Sequence, residues 1–334
     1  MKFRIIRYFL TFCTIIFGHY SYAQLMNIDS CLVILKTAKD DTNKVMLLDA
    51  IAWEISYSSL QKGIDYSNQS YNLAKKLNYE RSYARIFNTQ AAIYTDMAEI
   101  PMALDFCLEG LKYAKKHNQL RGQVSLYNSL GNIYSKRKDS KKSLYYYLQS
   151  VAVAKICQPD ILPVAAYGNI VGIYTGYKKL DSAMYYANLC LDYNLKNNNK
   201  DRLSNNYISL SEIYYELKDK DKCFKAATDA VNASIAINDD YTLAHCYIQL
   251  SNAHYLNKNL KLAIEALDKA TICVKKTGDI PALETIAEYY SLYYEELGDF
   301  KNSLRYFKEY KMYRDSALNY ESIQKEQNAE AKYE

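Results

Sequence analysis

Apolar and aromatic residues recur along this chain with a period of 40 residues. One position of the repeat is almost always aromatic and another is almost always small, and the register holds from about residue 81 to residue 310. The aromatic series is Tyr94, Tyr134, Tyr174, Tyr214, His254 and Tyr294, and the small series is Gly63, Ala103, Ser143, Ala183, Cys223, Ala263 and Ser303. A fixed period of this length is typical of repeat architectures, in which each repeat is one supersecondary unit. The pattern therefore predicts a stack of similar units.

Each repeat is predicted to form two helices joined by a short polar turn. In the third repeat, Tyr127, Gly131 and Tyr134 follow the spacing i, i+4, i+7, which places them on one helix face. A second such face follows the polar turn 136–140 and contains Ser143. Small residues on these faces let two antiparallel helices approach to about 8–10 Å. The predicted fold class is all-α, an α-solenoid of about seven antiparallel helix hairpins.

The segment 127–134, Tyr-Asn-Ser-Leu-Gly-Asn-Ile-Tyr, followed by Ser143 and Leu144, resembles the tetratricopeptide repeat (TPR). The resemblance covers about residues 45–316 and implies a right-handed superhelix. The units are about 45–80, 81–120, 121–160, 161–200, 201–240, 241–280 and 281–316. Because the period is 40 rather than the common 34, each helix should be longer by about three residues, or about 4.5 Å.

The N-terminal residues differ in character from the repeats. Residues 1–23 combine a positively charged start, an apolar run and small residues before a possible cleavage point, which predicts a secretory signal peptide cleaved near Ala23. A membrane anchor and a lipoprotein processed at Cys13 are the alternatives. Residues 24–44 are predicted to form a lead-in helix that caps the first hairpin. The mature chain would then be periplasmic or otherwise extracytoplasmic.

Residues 317–334 are predicted to form a polar C-terminal helix. The order of signal peptide, long repeats and charged helix resembles the exported repeat region of bacterial TPR-containing sensor kinases and regulators. In that family the helix usually continues into a membrane span and then into a histidine kinase or a DNA-binding regulator. No kinase motif is present in this sequence. The chain is therefore either a stand-alone relative or a truncated sensor, and both interpretations stay open.

Charge and cysteine content narrow the function classes. The formal net charge of +5 falls to +2 when residues 1–23 are removed, so a concentrated basic face for nucleic acid is not expected. Seven cysteines would remain, and an odd number without close pairs does not fit a disulfide framework. Cys190 and Cys223 occupy small positions of the repeat and are expected to act as small buried hydrophobes. A disulfide in an oxidising compartment is the alternative.

The sequence contains no motif that indicates catalysis, a cofactor or a metal site. His-Glu-x-x-His, paired Cys-x-x-Cys and glycine-rich phosphate loops are all absent. His245 and His254 lie nine residues apart on one predicted helix and do not share a face. His254 stands where most repeats have the tyrosine of the aromatic series. The predicted function is therefore non-enzymatic, with no cofactor and no metal.

A binding role is predicted from the geometry of stacked hairpins, whose first helices line a concave wall. This wall is rich in amides, which both donate and accept hydrogen bonds and therefore suit the backbone of an extended peptide. The predicted wall residues are Arg85, Asn88, Asn128, Asn132, Asn169, Asn205, Glu212, Gln249 and Asn252. A known repeat subtype grips a terminal carboxylate with basic side chains, but Asn128, Asn205 and Ser209 stand at those places. That activity is not predicted.

Two functions follow from these observations. The first is a non-catalytic scaffold that binds a protein or peptide outside the cytoplasm. The second is the sensory ectodomain of a membrane-bound histidine kinase or DNA-binding regulator whose downstream part is absent from this chain. Nucleic acid is not an expected partner, contact with a membrane is expected only through a downstream span, and the oligomeric state stays open.

Overall fold

A computed structural model describes residues 28–156 and 163–330, with side chains described as far as residue 316. The predicted signal peptide, residues 24–27, Cys157 and residues 331–334 lie outside this part of the chain. The described residues form fifteen α-helices and no strand. A short 3-10 turn, Glu80–Ser82, precedes the second hairpin.

Fourteen of the helices pair into seven antiparallel hairpins, preceded by helix α1 (Ile28–Thr37). The first helices are α2 (Thr42–Ser56), α4 (Tyr83–Asp96), α6 (Leu120–Lys136), α8 (Val164–Gly176), α10 (Lys200–Glu216), α12 (Asp240–Leu256) and α14 (Ile280–Glu296). The second helices are α3 (Leu60–Lys76), α5 (Ile100–Lys116), α7 (Ser140–Ile156), α9 (Leu180–Lys196), α11 (Lys220–Ile235), α13 (Leu260–Thr277) and α15 (Phe300–Glu330). The predicted all-α solenoid of seven hairpins is confirmed.

The two ends of the stack differ from the predicted boundaries. Helix α2 begins at Thr42 rather than at residue 45, because the side chain of Asp41 caps it by accepting hydrogen bonds from the backbone N–H groups of Asn43 and Lys44 at 2.9 and 3.0 Å. The lead-in helix α1 ends at Thr37 and packs against α2. At the other end, α15 runs without a break to Glu330, so the polar segment after residue 316 continues the second helix of the last hairpin.

Each hairpin closes on small residues, as the third hairpin shows. The hydroxyl of Ser143 donates to the backbone oxygen of Gly131 at 2.9 Å, and the ring of Tyr147 covers Gly131 so closely that no methyl group fits between them. Tyr134 of the aromatic series stacks on Tyr146 of the second helix, with ring centroids 5.3 Å apart. Small and aromatic positions of the repeat therefore have complementary roles in one seam.

From α3 to α14, the described helix ends recur every 20 residues and are followed by a residue in the left-handed backbone conformation. After α4, the N–H of Ala98 donates to the Thr95 carbonyl at 3.1 Å and the N–H of Glu99 donates to the Tyr94 carbonyl at 2.9 Å. Gly298 has a φ of 75°, as its sequence position predicts. The non-glycine residues with φ between 51° and 61° are Asn78, Ala98, Asn118, Lys138, Lys178, Asn198, Lys218, Asn238 and Lys258. These turns keep the helix ends at equal spacing along the chain.

The left-handed conformation of Ala98 predicts that Ala98→Gly will stabilise the protein. A Cβ atom in this conformation costs about 1–2 kcal/mol, and the flexibility that glycine adds to the unfolded chain offsets about 0.5–1 kcal/mol of that gain. The free energy of unfolding in urea should rise by about 0.5–1 kcal/mol. The control is Ala236→Gly at a right-handed helix end with φ −63°, which should lower it. Equal effects of the two substitutions would contradict the prediction.

Helices able to cross a membrane are not found among residues 28–156 and 163–330, since none of them is both long and apolar enough.

Candidate functional site

The first helices form the inner side of the stack. Helices α2, α4 and α6 pack against one another in sequence, and so do α8, α10, α12 and α14. In the described part of the chain, second helices of neighbouring hairpins come less close to each other; each packs mainly on its own partner and on the next first helix. Closer approach on one side curves a stack toward that side, so the first helices line the concave wall.

A polar ladder of side-chain hydrogen bonds runs along this wall and joins four pairs of neighbouring first helices. In each pair, one side chain bonds to a side chain 37 or 41 residues away. The rungs are Ser129 Oγ to Asn88 Oδ1 at 2.8 Å, Asn169 Nδ2 to Asn132 Oδ1 at 3.1 Å, Gln249 Nε2 to Glu212 Oε1 at 3.1 Å, and Asn252 Nδ2 to the Tyr289 hydroxyl at 3.5 Å. The amides of the wall therefore satisfy part of their hydrogen-bonding capacity with one another.

The polar ladder is interrupted in the middle of the wall. In the same register, Ser209 of α10 should reach positions 168 and 172 of α8, and both are glycine. Gly168, Gly172 and Gly176 lie four residues apart on one helix face, and a Cβ atom added at any of them would meet nothing within 4 Å. The face is therefore open, and the backbone of α8 is accessible from the concave side.

A groove of about 450 Å³ lies on the N-terminal side of this glycine face. It is bounded by α2, α4, α6, α7 and α8. Its lining includes Trp53, Asp96, Ser129, Asn132, Lys136, Tyr147 and Asn169. The floor is fixed by Tyr147, whose hydroxyl donates to Asn132 Oδ1 at 2.7 Å and whose pKa is raised to about 12 by burial. Trp53, the single tryptophan of the chain, is 39% exposed and offers an aromatic surface at the edge.

The C-terminal side of the wall centres on Glu212. This side chain is partly buried, and burial raises the pKa of its carboxyl to about 7. The amide of Gln249 donates to it, and Asn252 contacts the hydroxyls of Tyr289 and Tyr293 on α14. This half of the wall therefore combines a carboxyl group of shifted pKa with phenol rings.

The predicted wall residues all lie on first helices, but they differ in the hydrogen bonds and ion pairs that they already make. Arg85 is engaged by Asp49, with Nε and Oδ2 2.5 Å apart, and Asp49 is almost fully buried. Asn205 is exposed on α10. Asn88, Asn128, Asn132, Asn169, Glu212, Gln249 and Asn252 take part in hydrogen bonds between neighbouring first helices.

Sequence reasoning misses Trp53, Tyr147 and Tyr289 as parts of the wall. Trp53 lies one position before the aromatic position of the 40-residue register, because the first repeat is irregular. Being the single tryptophan of the chain is the signal that could have marked it. Tyr147 looks like a core residue from its spacing, and its hydroxyl reaches the wall from below. Tyr289 stands 40 residues after Gln249, at a wall position of the register, so the register itself could have found it.

Two histidines of α12 and the described cysteines make contacts inside the stack. His245 contacts Asp279, with Nε2 and Oδ2 3.0 Å apart, and the His254 ring packs on Phe224 at 5.3 Å between centroids. The described cysteines, among them Cys190 and Cys223, are buried free thiols. Groups of three or more possible metal ligands are not found in the part of the chain that the structure describes.

No family model matches the chain, and no curated protein sequence matches it. Solved structures do match. Apo RapI is 14% identical over 83% of this chain and 99% of its own, with a TM-score of 0.66. The fold is of the TPR type. A signal-transduction ATPase with a tetratricopeptide repeat sensor, from Pyrococcus horikoshii, is 15% identical with a TM-score of 0.68, and the match covers 87% of this chain but 45% of the ATPase.

A third TPR-type neighbour is a Rap protein complexed with competence and sporulation factor. It is 13% identical, the match covers 87% of this chain and 80% of that protein, and the TM-score is 0.63. Identities this low show a shared fold and leave the function of this TPR-type chain to be argued from its own residues.

Proposed function

We propose that this TPR-type chain is a non-catalytic scaffold whose concave wall binds an extended segment of a protein or peptide. The observation that carries the proposal is the polar ladder, which runs beside an open glycine face and a groove of about 450 Å³. Side-chain amides spaced along a groove offer both donors and acceptors to a peptide backbone. The Rap protein solved with competence and sporulation factor supports a binding role for this fold type.

Hydrogen bonds within the polar ladder hold its side-chain amides in place before a ligand binds. Asn169 Nδ2 lies 3.1 Å from Asn132 Oδ1 and 3.5 Å from Asn128 Oδ1, so it is shared between two acceptors. An incoming backbone carbonyl or N–H can take over such a shared bond with little loss, because one hydrogen bond replaces another. Amides that are already positioned also lose less side-chain entropy on binding.

Blocking the glycine face tests this function without removing any contact. Gly172→Leu should abolish binding, because a leucine side chain would fill the open face of α8. Position 172 stands 40 residues after the groove residue Asn132, at the same position of the repeat. The measurement is enrichment of clones from a displayed random hexapeptide library on the purified chain. The matched control is Asn188→Leu, an exposed position on α9 of the same hairpin, which should retain wild-type enrichment.

A second variant removes the hydrogen bonds of Asn169 and keeps the bond between Tyr147 and Asn132. Asn128→Ala combined with Asn169→Ala deletes both the donor and one acceptor, while Asn132 continues to accept from the Tyr147 hydroxyl. Enrichment should fall, and the melting temperature should stay near that of the wild type because no buried group loses its partner. Unchanged enrichment in both this variant and Gly172→Leu would reject the concave wall as the binding surface.

The proposed scaffold acts outside the cytoplasm, in the periplasm or another extracytoplasmic space. This part of the proposal depends on residues 1–23, whose pattern is that of a signal peptide. N-terminal sequencing of the chain isolated from its native host should begin near residue 24. An intact Met1 in the isolated chain would remove the basis for export.

A sensory ectodomain is the second candidate, favoured by the length of α15. This helix has 31 residues, whereas the other second helices have 16 to 18, so it extends about 20 Å farther than they do. A rigid helix of this kind could transmit a change in the stack to a membrane-bound kinase or regulator. A membrane span encoded directly after Glu334 would favour this candidate, and a stop codon there would exclude it.

A further inference from the structure

Two neighbouring carboxylates on α10 have different environments. Glu216 forms an ion pair with Lys178, with Oε2 and Nζ 2.6 Å apart. Glu212, one turn earlier on the same helix face, is also partly buried, and none of the lysine, arginine or histidine side chains in the described part of the chain lies within 4.0 Å of it. A partly buried carboxylate without a cation is costly unless another group supplies the missing interactions.

The surroundings of Glu212 are short of hydrogen-bond donors. An ionised carboxylate has about four acceptor sites, and Gln249 Nε2 fills one of them at 3.1 Å. The carbonyl oxygen of Gln249 is itself buried, and within the described residues no donor reaches it. Gln249 as a whole is 8% exposed. Glu212 therefore has unfilled acceptor sites beside a second acceptor that lacks a donor, and a ligand that complements Glu212 has to bring donors.

Space for such a ligand exists beside Glu212. Position 172 on the preceding first helix is the counterpart of Glu212 in the register, and as glycine it leaves open volume within 4 Å of where a Cβ atom would be. The equivalent space one hairpin earlier is occupied by the side chains of Asn132 and Asn169. In the register, Asn132 of the groove, the open position Gly172 and Glu212 follow one another on successive first helices, so the open face lies between the groove and the carboxylate along the wall.

The rest of this half of the wall favours a positive charge. Glu288 is exposed on α14, and Glu296 of the same helix accepts a hydrogen bond from the Tyr255 hydroxyl. Burial raises the pKa of the Tyr289 phenol, and the nearby carboxylates of Glu288 and Glu212 raise it further. The Tyr289 ring stacks on Tyr293 with centroids 6.0 Å apart. Carboxylates attract a cation over several ångströms, and phenol rings stabilise one on their faces.

We infer that Glu212 is a subsite for a basic side chain, lysine or arginine, of the extended peptide that the concave wall binds. An ammonium group brings three donors and a guanidinium group five, with no acceptor, which matches a site that holds acceptors without donors. Their long aliphatic stems suit the glycine face of α8. This inference rests on the proposed peptide-binding function and specifies which peptides are preferred.

A positional hexapeptide library tests the subsite. Each fluorescent pool fixes one position as lysine, arginine, glutamate or citrulline, the neutral isostere of arginine, and binding to the purified full chain is measured by fluorescence polarisation. At one position, the lysine and arginine pools should bind about tenfold more tightly than the citrulline pool. Glu212→Gln, which keeps the acceptor for Gln249, should remove this preference and retain binding of the citrulline pool.

Glu216→Gln is the matched control. Because Glu216 is already paired with Lys178, its substitution should leave the preference for lysine and arginine intact. A preference that survives in Glu212→Gln, or a wild type without one, overturns the inference while peptide binding itself stands. If no pool binds the wild type better than it binds Gly172→Leu, the proposed function fails and the subsite fails with it.

The preference should also depend on pH. Burial raises the pKa of Glu212 to about 7, and a carboxyl must lose its proton before it can pair with a cation. Binding of the lysine pool should therefore weaken about tenfold between pH 8 and pH 6, and Glu212→Gln should abolish this dependence. The groups that face Glu212 are Gln249 on α12, with Asn252 on the same helix, Tyr289 on α14, and the paired Glu216 one turn along α10. Its register counterpart on α8 is Gly172, which does not titrate.

Discussion

Gly131→Ala is expected to lower the free energy of unfolding by about 2 kcal/mol. A Cβ atom at position 131 would lie 2.3 Å from a ring carbon of Tyr147, and Tyr147 is 2% exposed and held by Asn132. The ring cannot turn aside without losing that hydrogen bond and its packing. A contact this short puts the cost of overpacking at the upper end of its usual range, about 3 kcal/mol. The gain of about 1 kcal/mol that alanine brings to a helix interior leaves a net loss of about 2 kcal/mol.

Gly172→Ala is the matched control for this prediction. Position 172 is also inside a first helix, but nothing lies within 4 Å of the added methyl group. The same substitution should therefore raise the free energy of unfolding by about 1 kcal/mol. Urea unfolding followed by circular dichroism at 222 nm measures both variants. Equal effects at the two sites would show that helix propensity, and not the contact with Tyr147, decides the outcome.

The fold was predictable because one signal repeats many times. A single hairpin such as the third offers a degenerate pattern, but a small residue like Ser143 recurs at intervals of 40 residues, and the structure places Ser143 against Gly131 in one seam. Boundaries were less predictable at the N-terminal end. The side chain of Asp41 decides where α2 begins, and a capping hydrogen bond involves two or three residues without any periodicity.

The sequence predicts which helices carry the candidate site, but it does not predict which hydrogen bonds its side chains make or where the wall is open. Helical spacing alone puts Asn128, Asn132 and Asn169 on first helices. That Asn169 bonds to both of the others depends on the distance between hairpins, which packed side chains elsewhere determine. Periodicity also treats Gly172 as a small residue like any other, although its effect is to leave the wall open. Such properties belong to pairs of hairpins and are not visible in one repeat.

Glu212→Gln is expected to stabilise the protein at pH 8 and to have little effect at pH 4. In the folded chain burial holds the pKa of this carboxyl at about 7, whereas an exposed glutamate titrates near 4.5. Between these values the folded state binds more protons than the unfolded state, so the stability of the wild type falls as pH rises from about 4.5 through about 7. Glutamine carries no charge at any pH. The variant should therefore exceed the wild type by about 1–3 kcal/mol at pH 8.

Urea unfolding of both chains at pH 4, 6 and 8 measures this difference, and Glu216→Gln separates it from a general effect of removing negative charge. Glu216 is paired with Lys178, so its neutralisation should bring no gain at pH 8. A constant difference between Glu212→Gln and the wild type across this range would mean that the carboxyl titrates like an exposed one. A difference that grows with pH would mean that the folded wall keeps a carboxylate at a cost. A ligand cation would remove that cost, so the carboxylate retained on the wall has a physical reason to be part of a binding site.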